Sequence, residues 1–195
     1  MTDPEALPPL FASPQPSLTT ARLRLRLFTP DDAPRVQLLL ADEAVAKQTL
    51  SIPHPYPDGA AAKFLATHAE SWSTAKHAVW ALARRDDDAV VGTMSLRITL
   101  AHRRAEVGYW IARAAWGQGF ATEALVALVT WGFDVLGLHR IDAHHFTTNP
   151  ASGKVMIKAG MRHEGRVRGA VWRDDVPRDL ELYSILRTDP RPALP

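Results

Sequence analysis

Cysteine is missing altogether from the 195 residues. That absence excludes a disulfide scaffold, a thiolate metal site and a cysteine nucleophile within this chain. An excess of one charge is nearly missing too. The 23 Lys and Arg face 21 Asp and Glu, for a formal net charge of +2, which argues against a nucleic-acid partner. No apolar run reaches membrane-spanning length, and the first residues lack the basic start and apolar stretch of a signal peptide. A cytoplasmic protein with no membrane partner is therefore expected. What is present is a 46% hydrophobic composition, enough to build one domain with a full core and too little chain for two comfortable ones.

The chain divides into three expected parts: a leader at 1–20, a single folded domain at 21–187 and a tail at 188–195. The leader holds five prolines and little periodicity, so it reads as extended or disordered. Leu23, Leu25 and Leu27 then alternate with Arg22, Arg24 and Arg26, the pattern of a half-buried strand. Thr29-Pro30-Asp31-Asp32 has the form of an N-cap, a first-turn proline and acidic first-turn residues, opening a helix through Val36, Leu39 and Leu40. A proline-rich loop at 51–59 precedes a helix expected over 60–73. Residues 78–85 and 90–99 read as strands across an acidic turn, and 105–112 as a further strand. Beyond Ala121 the apolar residues recur at three- and four-residue intervals, one buried helix face with Gly137 as its C-cap. A strand over 140–146 leads to a helix opened by Asn149 and Pro150 and closed by Gly160. Strands at 162–167 and 178–186 complete an α+β fold with helices on both faces of the sheet.

Between the strand at 105–112 and the long helix lies Trp116-Gly117-Gln118-Gly119-Phe120-Ala121-Thr122. Helix N-termini present unpaired amides and a partial positive charge, and glycines before them let an anion approach without side-chain obstruction. The segment lacks the G-K-[ST] of a nucleoside triphosphate loop and the third glycine of a dinucleotide fingerprint. Spacing alone supports equally an anion cradle and a plain strand-to-helix turn.

Taken together, the segments EVGYWIARAAWGQGFATEAL, HRIDAHHFTTNPAS and KAGMRHEG resemble the RimJ/RimL-like branch of the GCN5-related N-acetyltransferases (GNAT), over roughly residues 20–187. The resemblance implies a mostly antiparallel, twisted sheet of about seven strands, splayed between the fourth and fifth, with acetyl-coenzyme A in the splay. It assigns the amides of Gly117, Gln118, Gly119, Phe120 and Ala121, with the Thr122 hydroxyl, to the pyrophosphate, and the backbone of Ile111 and Ala112 to pantetheine. Trp116 stands where the wider superfamily has Arg or Gln, and tryptophan there suits this branch. Lys158 is a candidate for a cofactor phosphate.

Forming an amide from a thioester requires a neutral amine, a polarised carbonyl and a proton for the departing thiolate. Asn149 and Ser152 match the family's N-x-x-S. Ser152 resembles the serine proposed as general acid in this branch, since the position of the tyrosine used elsewhere in the superfamily falls near Met156. Asn149 is expected to bond pantetheine or an ordered water, or to serve only as N-cap. The base glutamate of some relatives falls near Val171 here, which leaves three candidates: Glu106, His144, or a water chain ending on backbone carbonyls. His144 and His145 also invite a metal reading, discounted because only Asp142 lies at ligand spacing. His54, Tyr56, Trp110 and Trp172 are weaker candidates for shaping the acceptor site.

Three functions follow. The favoured one is direct acetyl transfer from acetyl-coenzyme A to a primary amine, in first place a protein N-terminal α-amine. The second keeps the chemistry but takes a small amine such as an aminoglycoside, polyamine or amino acid, and a strongly acidic acceptor cleft would favour it. The third is a non-catalytic acyl-coenzyme A binding module. The resemblance also brings a homodimer as an expectation, and no metal.

Overall fold

The computed structural model describes residues 8–193. Alternation in the first arginine-leucine run is realised over β2 (Leu23–Arg26), which pairs with β1 (Leu18–Thr19) and fully buries Leu23 and Leu25; Leu27, read on the same face, falls beyond the strand and is exposed. The Arg26 side chain pairs with Asp32 at 2.8 Å, and Asp32 closes a capping box with Thr29 around the 3-10 turn Pro30–Asp32 that leads into α1 (Ala33–Leu40). The short α2 (Glu43–Ala46) follows, its N-terminus capped by the Asp42 side chain. The helix expected over 60–73 is two helices, α3 (Ala60–Ala66) and α4 (His68–Ser73). At the break the Thr67 hydroxyl donates to the Phe64 carbonyl, competing with the backbone for that acceptor.

Strands β3 (His77–Arg84), β4 (Val90–Thr99) and β5 (Arg104–Ile111) form an antiparallel meander. Next come α5 (Phe120–Asp134), β6 (Arg140–Phe146), α6 (Pro150–Lys158) and the hairpin of β7 (Arg162–Arg173) and β8 (Val176–Leu186). The eight strands lie in the order β1-β2-β3-β4-β5-β6-β8-β7, antiparallel except for β5 and β6. The eighth strand, beyond the seven expected, is the two-residue β1. α5 ends at Asp134, ahead of Gly137, which instead turns the chain toward β6 with a φ of 66°.

Side chains on successive strand positions point to opposite faces, and the core divides accordingly. On one face Ala81, Val90 and Trp110 pack with Val36, Leu40, Val45 and Ala61 of the first three helices. On the other, Trp80, Met94, Leu96 and Val107 pack with α5 and with Met156 of α6. No helix among the described residues is long and apolar enough to cross a membrane.

The expected leader is corrected from Pro9 onward, residues 1–7 lying outside the described residues. Pro9–Ala12 form a 3-10 turn that buries Phe11 against Trp72, ring centroids 4.6 Å apart. The Trp72 indole donates to the Ser13 carbonyl and the Trp80 indole to the Pro16 carbonyl, at 2.6 and 2.7 Å. Gln15 lays its side-chain amide along Val79 like a short strand partner, donating to its carbonyl and accepting from its N–H. Prolines suit such a segment because side chains of the core, rather than a ladder, satisfy its backbone. At the other end, residues 188–193 are tied down by the ion pairs Arg162–Asp189 at 2.9 Å and Arg191–Asp134 at 3.0 Å.

Candidate functional site

The pairing of β5 with β6 covers only Arg104–Val107 against Arg140–Ala143. Beyond Val107 the strands part, and a cavity of about 1090 Å³ opens there, lined from the glycine turn at one end to Glu106 at the other. A void of this size accommodates a large cofactor-like ligand together with part of a second molecule.

At the first end Gly117 and Gly119 hold φ of 75° and 84°, the left-handed region that glycine alone enters without strain. The first α-helical hydrogen bond of α5 runs from the Glu123 N–H to the Gly119 carbonyl. The amides of Phe120, Ala121 and Thr122 therefore have no acceptor within the helix, and all three residues line the cavity. Trp116 fastens the turn to the strand before it, its indole donating to the Ile111 carbonyl at 2.7 Å.

From below, the turn is held by residues about a hundred positions away. Glu123, only 2% exposed, accepts from the Thr20 hydroxyl at 2.6 Å, from the Arg22 N–H at 2.8 Å and from Arg22 Nε at 2.7 Å. Arg22 Nη1 in turn donates to the Gln118 carbonyl at 2.9 Å. Burial works against ionisation of Glu123, but the bonds from Thr20 and Arg22 outweigh it and hold the carboxyl below its usual range.

Midway along the cavity, Ser152 lies one turn into α6, where the Asn149 side-chain oxygen caps its N–H at 3.3 Å. The Asn149 amide nitrogen and the second lone pair of its oxygen take no partner among the described residues. The Ser152 hydroxyl meets the Tyr109 hydroxyl at 2.6 Å. Burial pushes Tyr109 up to about 12, the bond to Ser152 pulling the other way. Tyr109 thus stays protonated at neutral pH. Either hydroxyl can donate in this pair, and the phenol also lies 3.4 Å from the Ser152 carbonyl.

At the far end Glu106 and His144 come together from β5 and β6, His144 Nδ1 standing 3.9 Å from Glu106 Oε1. The two side-chain candidates for the base are neighbours in space. The wall facing them includes Ile52 and Tyr56 of the proline-rich loop. That loop is clipped to β7 by Arg173, whose guanidinium donates to the carbonyls of Thr49, Leu50 and Ile52.

Of the residues singled out from sequence, Glu106, His144, Ile111, Trp116, Gly117, Gly119, Phe120, Ala121, Thr122, Asn149, Ser152 and Lys158 line this one cavity, as do Tyr56 and Trp110. Ala112, Gln118, His54 and Trp172 do not. The Ala112 N–H bonds the Val91 carbonyl at 2.8 Å, at the end of the β4–β5 ladder. The Gln118 side chain folds back onto the Ala114 carbonyl. Trp172, 72% exposed, stands out on the hairpin, which runs longer than read because its strands continue to Arg173 and from Val176. Tyr109 went unassigned, although period two places it on the face of Ile111. Its partnership with Ser152 joins a strand to a helix 43 positions on, and no local pattern announces that. The Thr20–Arg22–Glu123 cluster is equally silent in sequence.

Residues 22–162 match the family described as the acetyltransferase (GNAT) domain. The chain is 33% identical over 173 residues to an uncharacterized N-acetyltransferase of Bacillus subtilis (strain 168), covering 88% of this chain and 97% of that one. A ribosomal-protein-serine acetyltransferase of Escherichia coli (strain K12) is 31% identical over 99 residues, 50% of this chain and 55% of that one. Among solved structures, a ribosomal L7/L12 α-N-protein acetyltransferase in complex with coenzyme A superposes with a TM-score of 0.80 at 19% identity, covering 88% of this chain and 98% of that one.

Proposed function

The chain belongs to the GNAT acetyltransferase family, and from that membership we propose that it moves an acetyl group from acetyl-coenzyme A directly onto the α-amine of a protein or peptide N-terminus. The observation that carries the reading is the single cavity joining the free amides of α5 to Ser152 and on to Glu106. Acetyl-coenzyme A, when bound, supplies an activated thioester carbonyl and a thiolate leaving group. Free amides at the start of α5, beside two left-handed glycines, suit its pyrophosphate. Glu106 and His144 take the proton that the ammonium form of the amine must shed before it can attack. Ser152, backed by Tyr109, gives a proton at the opposite end of the reaction.

The acceptor follows from charge. Glu106 is the only carboxylate among the described residues lining the cavity, which also carries Arg97, Lys154 and Lys158. The strongly acidic cleft that a polyamine or aminoglycoside calls for is not supported, whereas an N-terminal amine, with one positive charge to neutralise, needs no more than one carboxylate. The names of the ribosomal-protein relatives point the same way.

Two measurements test this. Thiol release from acetyl-coenzyme A is expected with N-terminal peptides and not with polyamines or aminoglycosides; the reverse order would overturn the choice of acceptor. Calorimetry is expected to show acetyl-coenzyme A binding weakened by about 10- to 30-fold in Gly119→Val. A side chain at φ of 84° costs about 1–2 kcal/mol of backbone strain, relieved only by moving the turn. Its Cβ would also stand 3.3 Å from Arg22 Nη2, which the Glu123 cluster holds in place. Unchanged affinity in a folded variant would remove the glycine turn from the cofactor site.

A further inference from the structure

The floor of the acceptor end holds a cation that the acetyl-transfer chemistry does not use. Arg97 of β4 lies directly across from Glu106 of β5 and from His77 of β3 in the sheet register. Residues paired in this way share a face, and all three line the cavity together with Ser95. Arg97 is exposed to the cavity and takes no hydrogen-bond or ion-pair partner among the described residues, although Glu106 is its immediate neighbour. Glu106 is turned instead toward His144. The cavity therefore presents, side by side, a carboxylate and imidazole that suit an amine and a guanidinium that suits an anion. Adjacent strands lie about 4.7–4.9 Å apart, so one small group spans both.

We propose that Arg97, with His77 and Ser95 beside it, seats an acidic group of the acceptor, making the preferred acceptor an α-amine with a carboxylate a few bonds from its nitrogen. This rests on the acetyl-transfer reading above: a peptide source narrows its acceptor, and a free amino acid would take the acceptor's place. A planar guanidinium binds a carboxylate through two parallel N–H donors, and none of those donors is spent elsewhere in the described structure. His77 agrees with the placement: burial lowers its pKa, and the nearby positive charge of Arg97 lowers it further. At neutral pH it is therefore an uncharged polar neighbour rather than a second cation. The shared chemistry has two sources, the side chain of an N-terminal Asp or Glu in a peptide, or the α-carboxylate of a free amino acid.

Matched pairs of acceptors test it. Thiol release is measured for a peptide beginning with Glu against the same peptide beginning with Gln, and for free leucine against leucinamide. Wild type, Arg97→Gln and Arg97→Lys are compared. In wild type the carboxylate-bearing member of one pair is expected to be favoured in kcat/KM by about 10- to 100-fold, the range of a charge-assisted hydrogen bond, with most of the difference in KM. The pair that shows it names the source. In Arg97→Gln the two members converge, and Arg97→Lys keeps part of the preference, a pattern that loss of packing alone does not produce. Wild-type indifference to the carboxylate in both pairs, or a preference that survives in Arg97→Gln, overturns the anion seat while leaving acetyl transfer in place. Absence of thiol release with every acceptor overturns the amine-transfer reading and this proposal with it.

Discussion

Ser152→Ala is expected to lower kcat for acetyl transfer by about 10²- to 10³-fold, within the range contributed by a positioned proton donor, while the dissociation constant of acetyl-coenzyme A stays near its wild-type value. The split follows from geometry. The amides proposed for the pyrophosphate lie at the N-terminus of α5, whereas Ser152 sits on α6, its hydroxyl 2.6 Å from that of Tyr109. Removing the hydroxyl leaves the glycine turn intact and strips the donor from the middle of the cavity. Tyr109→Phe is the companion variant. If Ser152 delivers the proton and Tyr109 polarises it, the phenylalanine variant falls less, by about tenfold. If the serine only relays a phenol proton, the order inverts. Steady-state kinetics beside calorimetric binding reads both numbers for each variant. A Ser152→Ala enzyme with unaltered kcat would remove the serine from the chemistry.

His68 sets the second expectation, a loss of stability in mild acid. The imidazole is 6% exposed, lies 4.5 Å centroid to centroid from the Phe64 ring and 5.5 Å from Phe28, and neither ring nitrogen has a hydrogen-bond partner among the described residues. Burial lowers its pKa from 6.5 to about 4, the charge of His77 adding to the effect. The unfolded chain therefore takes up a proton near pH 6.5 that the folded protein refuses until about pH 4. His68 costs nothing above the first value; below it the folded state weakens progressively, and the loss levels off below the second. A gap of this size corresponds to about 3 kcal/mol. Denaturant unfolding of wild type and His68→Phe at pH 7.5 and pH 4 isolates the contribution, because every other group titrates in both proteins. The variant is expected to lose about 3 kcal/mol less than wild type on acidification, its ring joining Phe28 and Phe64. Equal losses in the two proteins would show that His68 is not held neutral by its surroundings.

Much of the architecture is legible one segment at a time. Period two in Leu23 and Leu25, the Thr29-Pro30 start, the apolar face running from Ala124 and the Asn149-Pro150 cap each depend on neighbours within a turn or a few strand positions, and all appear where the pattern puts them. The glycine turn is legible for the same reason, since a left-handed φ is a property of one residue. Errors fall where a distant partner decides. The leader looked unstructured because its prolines forbid regular elements, and only the Trp72 and Trp80 indoles and the Val79 backbone give it a place. Thr67 breaks a helix that composition alone would continue.

The site divides along the same line. By itself the sequence determined two local features of the candidate site: the glycine turn before α5, and Asn149 and Ser152 opening α6. It also supplied both base candidates, Glu106 and His144, without relating them. Tertiary structure alone decided that these two come together where the β5–β6 pairing ends, that Tyr109 meets Ser152, that Glu123 and Arg22 brace the turn, and that Arg97 is left without a partner among the described residues beside Glu106. Side-chain periodicity records which face a residue takes, but two residues meet only when separate elements pack, and that information is carried by the whole core rather than by any stretch of the chain.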